Sequence, residues 1–289
     1  MFRAKDGVTT PSAFFDASLD AEANDARRIS DLIREAVDCN GFVLRYQPKI
    51  SVVDGRLMGA EALIRLTHDG GAPVGPDRCI PIAERTGLIG PIGRWALFEG
   101  AETFARANRD FGLRTPVSVN LSPRQLAQDA IPDLVVEALT ETGLPPEMLE
   151  LEITETAVVQ DMAYAVEALP AITSRGVTIS IDDFGTGQSS LAQLRRLPAA
   201  KVKLDRSFVT DIETDRNANA IARAVGGLAN GLGKTTIAEG VETLGQFAQL
   251  RAMGIDEAQG YLFARPVEQD DFFDRARAAD PYLGVAVAA

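Results

Sequence analysis

Histidine is almost missing from this sequence. His68 is the only one in 289 residues, which excludes sites built on several histidines, including most zinc hydrolase centres. Cysteine is nearly as scarce. Cys39 and Cys79 cannot form a disulfide scaffold, and they fit a reducing compartment. No apolar run reaches the ~18 residues of a membrane span, and no signal peptide is visible at the start. Basic residues are outnumbered 29 to 41, for a formal charge of -12. That balance argues against a broad basic face for duplex DNA or RNA, where phosphate neutralisation dominates affinity. It leaves room for a small anionic ligand held through bound cations. Together these absences predict a cytoplasmic protein with no membrane segment.

What is present is a foldable alternation. Hydrophobic residues make up 46% of the chain, enough for a sizeable core. Short β-like runs at 42–47, 57–64, 117–121, 149–153, 177–182, 201–204, 236–238 and 257–262 alternate with helical stretches. The helical stretches include 92–108, 131–142, 163–174, 218–232 and 244–253, and Gly112, Gly143, Gly176, Gly233 and Gly254 stand where helices would end. Eight strands alternating with helices predict an α/β barrel of the triosephosphate isomerase type, with an open doubly wound sheet as the alternative. Residues 50–56, with Asp54-Gly55, are too short for a helical crossover, so the first two strands are expected to form an antiparallel hairpin. Residues 19–37 have helical spacing. Periodicity favours a terminal helix packed on the domain over a linker from a neighbouring one.

Polar residues punctuate the strands. Glu61, Asn120, Glu152, the pair Asp182-Asp183, Lys203, Glu239 and Gln259 each fall within or just after a strand run. A charge inside a barrel is costly unless paired or metal-bound, and such barrels collect their reactive groups at strand C-terminal ends. Any one of these residues alone reads more readily as a satisfied ion pair or strand-end cap. Seven strands each carrying one do not. Carboxylates converging in that way need cations, and oxygen donors without histidine or thiolate suit Mg²⁺ or Mn²⁺. Adjacent aspartates suit a bridged pair of ions, as in two-metal phosphoester chemistry. Two other signals carry less. His68, beside Asp69-Gly70-Gly71, reads as a loop residue. Gly231-Leu232-Gly233-Lys234-Thr235 lacks the first glycine of a phosphate loop and precedes a strand instead of following one.

The ordered set of motifs resembles the EAL domain family of cyclic di-GMP phosphodiesterases from about Gly41 to Val267. It comprises Tyr46-Gln47-Pro48, Glu61-Ala62-Leu63-Ile64-Arg65, Val119-Asn120-Leu121-Ser122, Leu151-Glu152-Ile153-Thr154-Glu155, Asp182-Asp183-Phe184-Gly185-Thr186-Gly187, Lys203-Leu204-Asp205, Ala238-Glu239-Gly240-Val241-Glu242-Thr243 and Gln259-Gly260-Tyr261. The resemblance implies a modified eight-stranded barrel with one antiparallel strand, and Mg²⁺- or Mn²⁺-dependent opening of cyclic di-GMP to linear 5′-pGpG. It implies that Glu61, Asn120, Glu152 and Asp182 hold one ion, and that Asp182, Asp183 and Glu239 hold or orient a second. Lys203 would position and help activate the attacking water, and Gln259 would hold site water or Glu239. Gln47, Leu63, Arg65 and Pro266 would line the ligand cleft. Glu155 would support the loop after the paired aspartates, and Glu242 would sit behind the ligands.

The sequence departs from the family pattern in places. Gln188 stands where that loop usually has tyrosine, and Cys79 where an aromatic residue is usual; neither removes a ligand. The resemblance further implies a homodimer. Met1-Phe2-Arg3-Ala4-Lys5 resembles the last helix of a GGDEF domain, and 14–35 the usual connecting helix. Residues 1–40 are therefore expected to be the tail of a preceding GGDEF-like domain with a linker helix, 41–280 the EAL domain and 281–289 a disordered tail. Three functions compete: an active phosphodiesterase, a catalytically silent cyclic di-GMP receptor, and an unrelated metal-dependent barrel enzyme acting on carbon acids. Silent relatives usually lose metal ligands or the lysine, and this chain keeps them all.

Overall fold

The protein is described by a computed structural model that covers residues 17–39, 41–67, 74–126, 131–185 and 196–278. Eight strands close into one barrel in sequence order. They are β1 (Phe42–Ser51), β2 (Leu57–Leu66), β3 (Val117–Leu121), β4 (Leu149–Thr154), β5 (Thr178–Phe184), β6 (Lys201–Leu204), β7 (Thr235–Ala238) and β8 (Glu257–Ala258). β1 runs antiparallel to both neighbours, β2 and β8, and every other pairing is parallel. The expected hairpin and single reversed strand are both present.

The limits of β1 and β8 differ most from the sequence expectation, each by four residues. β1 continues through Pro48 to Ser51. A proline ends most strand readings because it cannot donate to a ladder. Here the β8 pairing reaches only Ile50 and Ser51, so Pro48 breaks no bond on that side. β8 holds two residues rather than the six expected. After Ala258 the chain folds back on the segment following β7: Val241 N–H donates to Gln259 O at 3.0 Å, and Leu262 N–H donates to Val241 O at 2.9 Å.

The main core lies between the strands and the outer helices. Among the largest of these, the helix Ile89–Phe111 buries Leu97, Ala101 and Phe104, and an aromatic cluster joins Phe104 to Tyr46 of β1, with ring centroids 5.3 Å apart. Phe272 and Phe273 complete that cluster from the C-terminal helix Gln269–Ala278. That helix was not legible, because its two adjacent phenylalanines make no helical period. The first described helix, Ala17–Cys39, seats Ile29, Ile33 and Ala36 in the same core. No helix among the described residues is long and apolar enough to cross a membrane.

Candidate active site

Side chains alternate across a strand with period two, and five strands use that period to point polar groups into the barrel. β1 buries Gln47 and Lys49, β4 buries Glu150 and Glu152, and Lys203 of β6 is buried with Lys201 half-buried beneath it. Ser118 and Asn120 of β3, and Ser180 and Asp182 of β5, follow the same spacing. Barrels of this type usually fill their interior with branched apolar layers. Here the inner layers are ionic.

Lys203 is the hub. Its Nζ lies 2.5 Å from Glu152 Oε2, 2.5 Å from Glu239 Oε1, 3.1 Å from Asp182 Oδ2 and 3.7 Å from Glu61 Oε2. Burial alone would favour the neutral amine, but the carboxylates around it reverse that and hold it charged, with its pKa well above the usual lysine value. Glu152 is buried too, yet Lys203 and Lys49 hold it ionised far below the usual carboxylate range. Glu61 goes the other way. Burial and the neighbouring Glu152 raise its pKa, against the pull of Lys203. Burial likewise pushes Glu239 up to about 8, because the Lys203 attraction is offset by Asp182 and Glu61.

Glu61 is fixed from both sides. Asn120 Nδ2 donates to its Oε1 at 2.8 Å, and Gln259 Nε2 donates to its Oε2 at 2.6 Å. Gln259 Nε2 also donates to Gln47 Oε1 at 3.0 Å, and Gln47 Nε2 donates to Ala264 O at 3.0 Å. Gln259 thus ties Glu61 to Gln47 from the turn that follows β8. Its own Oε1 is buried without a partner among the described residues.

The paired aspartates need special backbone. Neighbouring strand residues normally face opposite sides of a sheet. The β5–β6 register shifts between Ile181 and Phe184, and Asp183 takes a left-handed φ of 54°. With that bulge, one carboxylate oxygen each from Asp182, Asp183 and Glu239 falls within 4.8 Å of the others. Burial and the Asp182 charge raise the Asp183 pKa. Glu155, at the start of the helix Glu155–Gln160, accepts from Gly185 N–H at 2.8 Å, and so braces the turn that follows.

The mouth opens into a cavity of about 360 Å³ lined by Gln47, Glu61, Leu63, Asp182, Glu239 and Gln259 among others. Glu242 also lines it, from an exposed position. Arg65 and Pro266 do not contribute to that wall; Arg65, half-buried, donates to Ile64 O at 2.8 Å. Gln188 and His68 lie outside the described residues. Sequence reasoning missed Arg206 and Thr210, which close the cavity from the helix Arg206–Thr210. It also missed the buried charges Lys49, Glu150 and Glu257 and the half-buried Lys201, although Glu150-x-Glu152 and Lys201-x-Lys203 spell their inward period.

The donor set suits hard divalent cations. Glu61, Asn120, Glu152, Asp182, Asp183 and Glu239 offer only oxygen ligands, with no histidine or thiolate among them. The acidic, lysine-centred mouth lies at the strand ends of a closed α/β barrel, the end where barrel enzymes gather their sites. The chain belongs to the EAL domain family, whose match spans residues 30–266.

The chain is 40% identical to a signaling protein of Caulobacter vibrioides over 97% of its own length, and 34% of that protein's. It is 38% identical to the bifunctional diguanylate cyclase/cyclic di-GMP phosphodiesterase MucR of Pseudomonas aeruginosa, over 92% of this chain and 39% of MucR. It therefore spans between a third and two fifths of the length of these two relatives. Among solved structures, a MucR phosphodiesterase domain in complex with c-di-GMP superposes with a TM-score of 0.82 at 37% identity, covering 85% of this chain and 99% of that one.

Proposed function

We propose that this chain is a working phosphodiesterase that opens cyclic di-GMP to linear 5′-pGpG with two Mg²⁺ or Mn²⁺ ions. The single observation that carries this reading is the intact convergence of Glu61, Asn120, Glu152, Asp182, Asp183 and Glu239 around Lys203. A receptor module has no need to keep so costly a set of buried charges complete. The MucR domain, more than a third identical, was solved with c-di-GMP bound, which supports the same ligand here.

Glu61, Asn120, Glu152 and Asp182 would hold one ion, and Asp182, Asp183 and Glu239 the second. When bound, two such ions supply Lewis acidity at the phosphodiester and acidify a water toward hydroxide. The remaining work belongs to the chain's own groups. Lys203 carries a fixed positive charge at the centre of the carboxylates. There it orients the attacking water and stabilises negative charge developing on the phosphoryl oxygens. Gln259 keeps Glu61 turned toward the mouth, and Glu155 keeps the Asp183–Gly185 turn in place. Gln47 and Leu63 line the cleft that receives the dinucleotide, and Arg65 and Pro266 would join them with the ligand present. A homodimer and a GGDEF-like neighbour enter this reading from the family resemblance, and a cytoplasmic location from the scarcity of cysteine and the lack of a long apolar run.

The test is turnover beside binding. Wild type, Glu61→Gln and Asp182→Asn are incubated with cyclic di-GMP and Mg²⁺, with far-UV circular dichroism as a fold check. Wild type should form pGpG, and both folded variants should lose it. A wild type that binds cyclic di-GMP without converting it is a receptor.

A further inference from the structure

Beneath the mouth, the barrel interior carries a second set of charges that the proposed reaction does not use. Lys49 of β1 is 1% exposed. Its Nζ donates to Glu152 Oε1 at 2.6 Å and to Glu150 Oε1 at 2.8 Å. Glu150 Oε2 is held by Lys201 at 3.0 Å, and Lys201 by Glu257 Oε1 at 3.0 Å. The four residues Lys49, Glu150, Lys201 and Glu257 sum to zero formal charge. A buried ion pair is seldom the most stable filling for a core, and an apolar side chain of similar volume usually does as well or better. Core stability alone therefore does not account for Lys49.

Its place explains it. Glu152 has two carboxylate oxygens, and each is taken by a different lysine. Lys203 holds Oε2 on the mouth side, where Asp182 and Glu239 also meet Lys203. Lys49 holds Oε1 from below, and Glu150 pins Lys49 in turn. We propose that Lys49 is a positioning residue that fixes the Glu152 carboxylate with Oε2 turned to the mouth, where Glu152 would help to hold a divalent ion. This inference rests on the reading of Glu152 as a metal ligand. Groups that orient a ligand side chain in this way typically govern metal affinity by about 10- to 100-fold.

The experiment titrates the metal-free full chain with Mn²⁺ by calorimetry, beside thermal melts. Lys49→Met removes the donor but also a positive charge, which by itself would favour cation binding. The double variant Lys49→Met/Glu150→Gln removes one charge of each sign and isolates the geometry. The double variant should melt near wild type and bind Mn²⁺ about 10- to 100-fold more weakly. The single variant should also bind more weakly, despite its extra negative charge. Either folded variant binding Mn²⁺ within about twofold of wild type, or more tightly, would overturn the positioning role. Unfolding of both would assign Lys49 to the core and overturn it as well. If wild type takes up no Mn²⁺, the metal-site reading fails first and the role of Lys49 with it, an outcome the wild-type titration separates from the others.

Discussion

Lys203 and Glu239 face each other at 2.5 Å, Nζ to Oε1, across neighbouring strand ends of the barrel. The lysine comes from within β6 and is fully buried, whereas the glutamate follows β7 and is partly open to the cavity. A buried cation thus neutralises the mouth from below, while the carboxylates remain reachable from above.

That arrangement sets what Lys203 substitutions do. Lys203→Ala should reduce kcat by about 100- to 1,000-fold while cyclic di-GMP affinity changes far less, the pattern of an interaction made mainly in the transition state. Lys203→Arg should be nearly as inactive, because the planar fork cannot occupy the place of a point charge among four carboxylates. Steady-state kinetics beside equilibrium binding checks both. Normal kcat with weakened affinity would make Lys203 a phosphate anchor instead.

Glu239 gives the site a pH signature. Its pKa, pushed up to about 8, leaves it protonated at neutral pH before metal binds. Metal needs the carboxylate, so uptake at pH 7 should release a proton, and affinity should rise with pH until about 8. In the metal-free fold the sign is opposite for stability. The raised pKa contributes stability fully below the unfolded value, and that contribution is lost as pH rises through about 8. Calorimetry at pH 7 in two buffers of different ionisation enthalpy reads the proton. Identical heats in both buffers would count against it.

Asp183 separates backbone demand from charge. At φ 54° asparagine is tolerated and a β-branched residue is not. Asp183→Asn should melt at or above wild type, since it removes a charge from a crowded acidic group, while Mn²⁺ affinity falls at least about tenfold. Asp183→Val should add a destabilisation of about 1–2 kcal/mol. Thermal melts and Mn²⁺ titration of the two variants distinguish these effects.

Gly260 is a packing test next to the site. A Cβ there would stand 2.1 Å from Val241 O and 2.3 Å from Val241 N, both backbone atoms. Gly260→Ala should therefore cost about 1–3 kcal/mol, read as a lower Tm. Because Gln259 precedes it and holds Glu61, turnover should fall as well.

The alternation of strand and helix made the barrel legible, and Asp54-Gly55 revealed the one reversed strand. The mouth was legible because Glu61, Asn120, Glu152, Asp182 and Lys203 each interrupt an apolar run. The lower charges were hidden by the same logic. Lys49 follows a proline that closes a strand reading, and Glu150 and Lys201 sit at strand starts, where polar residues are ordinary. Only register brings them together. Nor does spacing foretell that Gln259 leaves the sheet to reach Glu61, since that depends on the backbone of Val241 approaching Gly260.

The central claim is that the intact mouth hydrolyses cyclic di-GMP through bound divalent metal. Timed chromatography of cyclic di-GMP incubated with the chain and Mg²⁺ or Mn²⁺, with and without excess chelator, tests it most directly. pGpG should accumulate with either metal, fail to form in chelator, and form again when metal is restored. Ca²⁺ should support binding better than turnover, because its looser coordination misplaces the attacking water. Unchanged hydrolysis in excess chelator, or intact cyclic di-GMP with metal present, would contradict it.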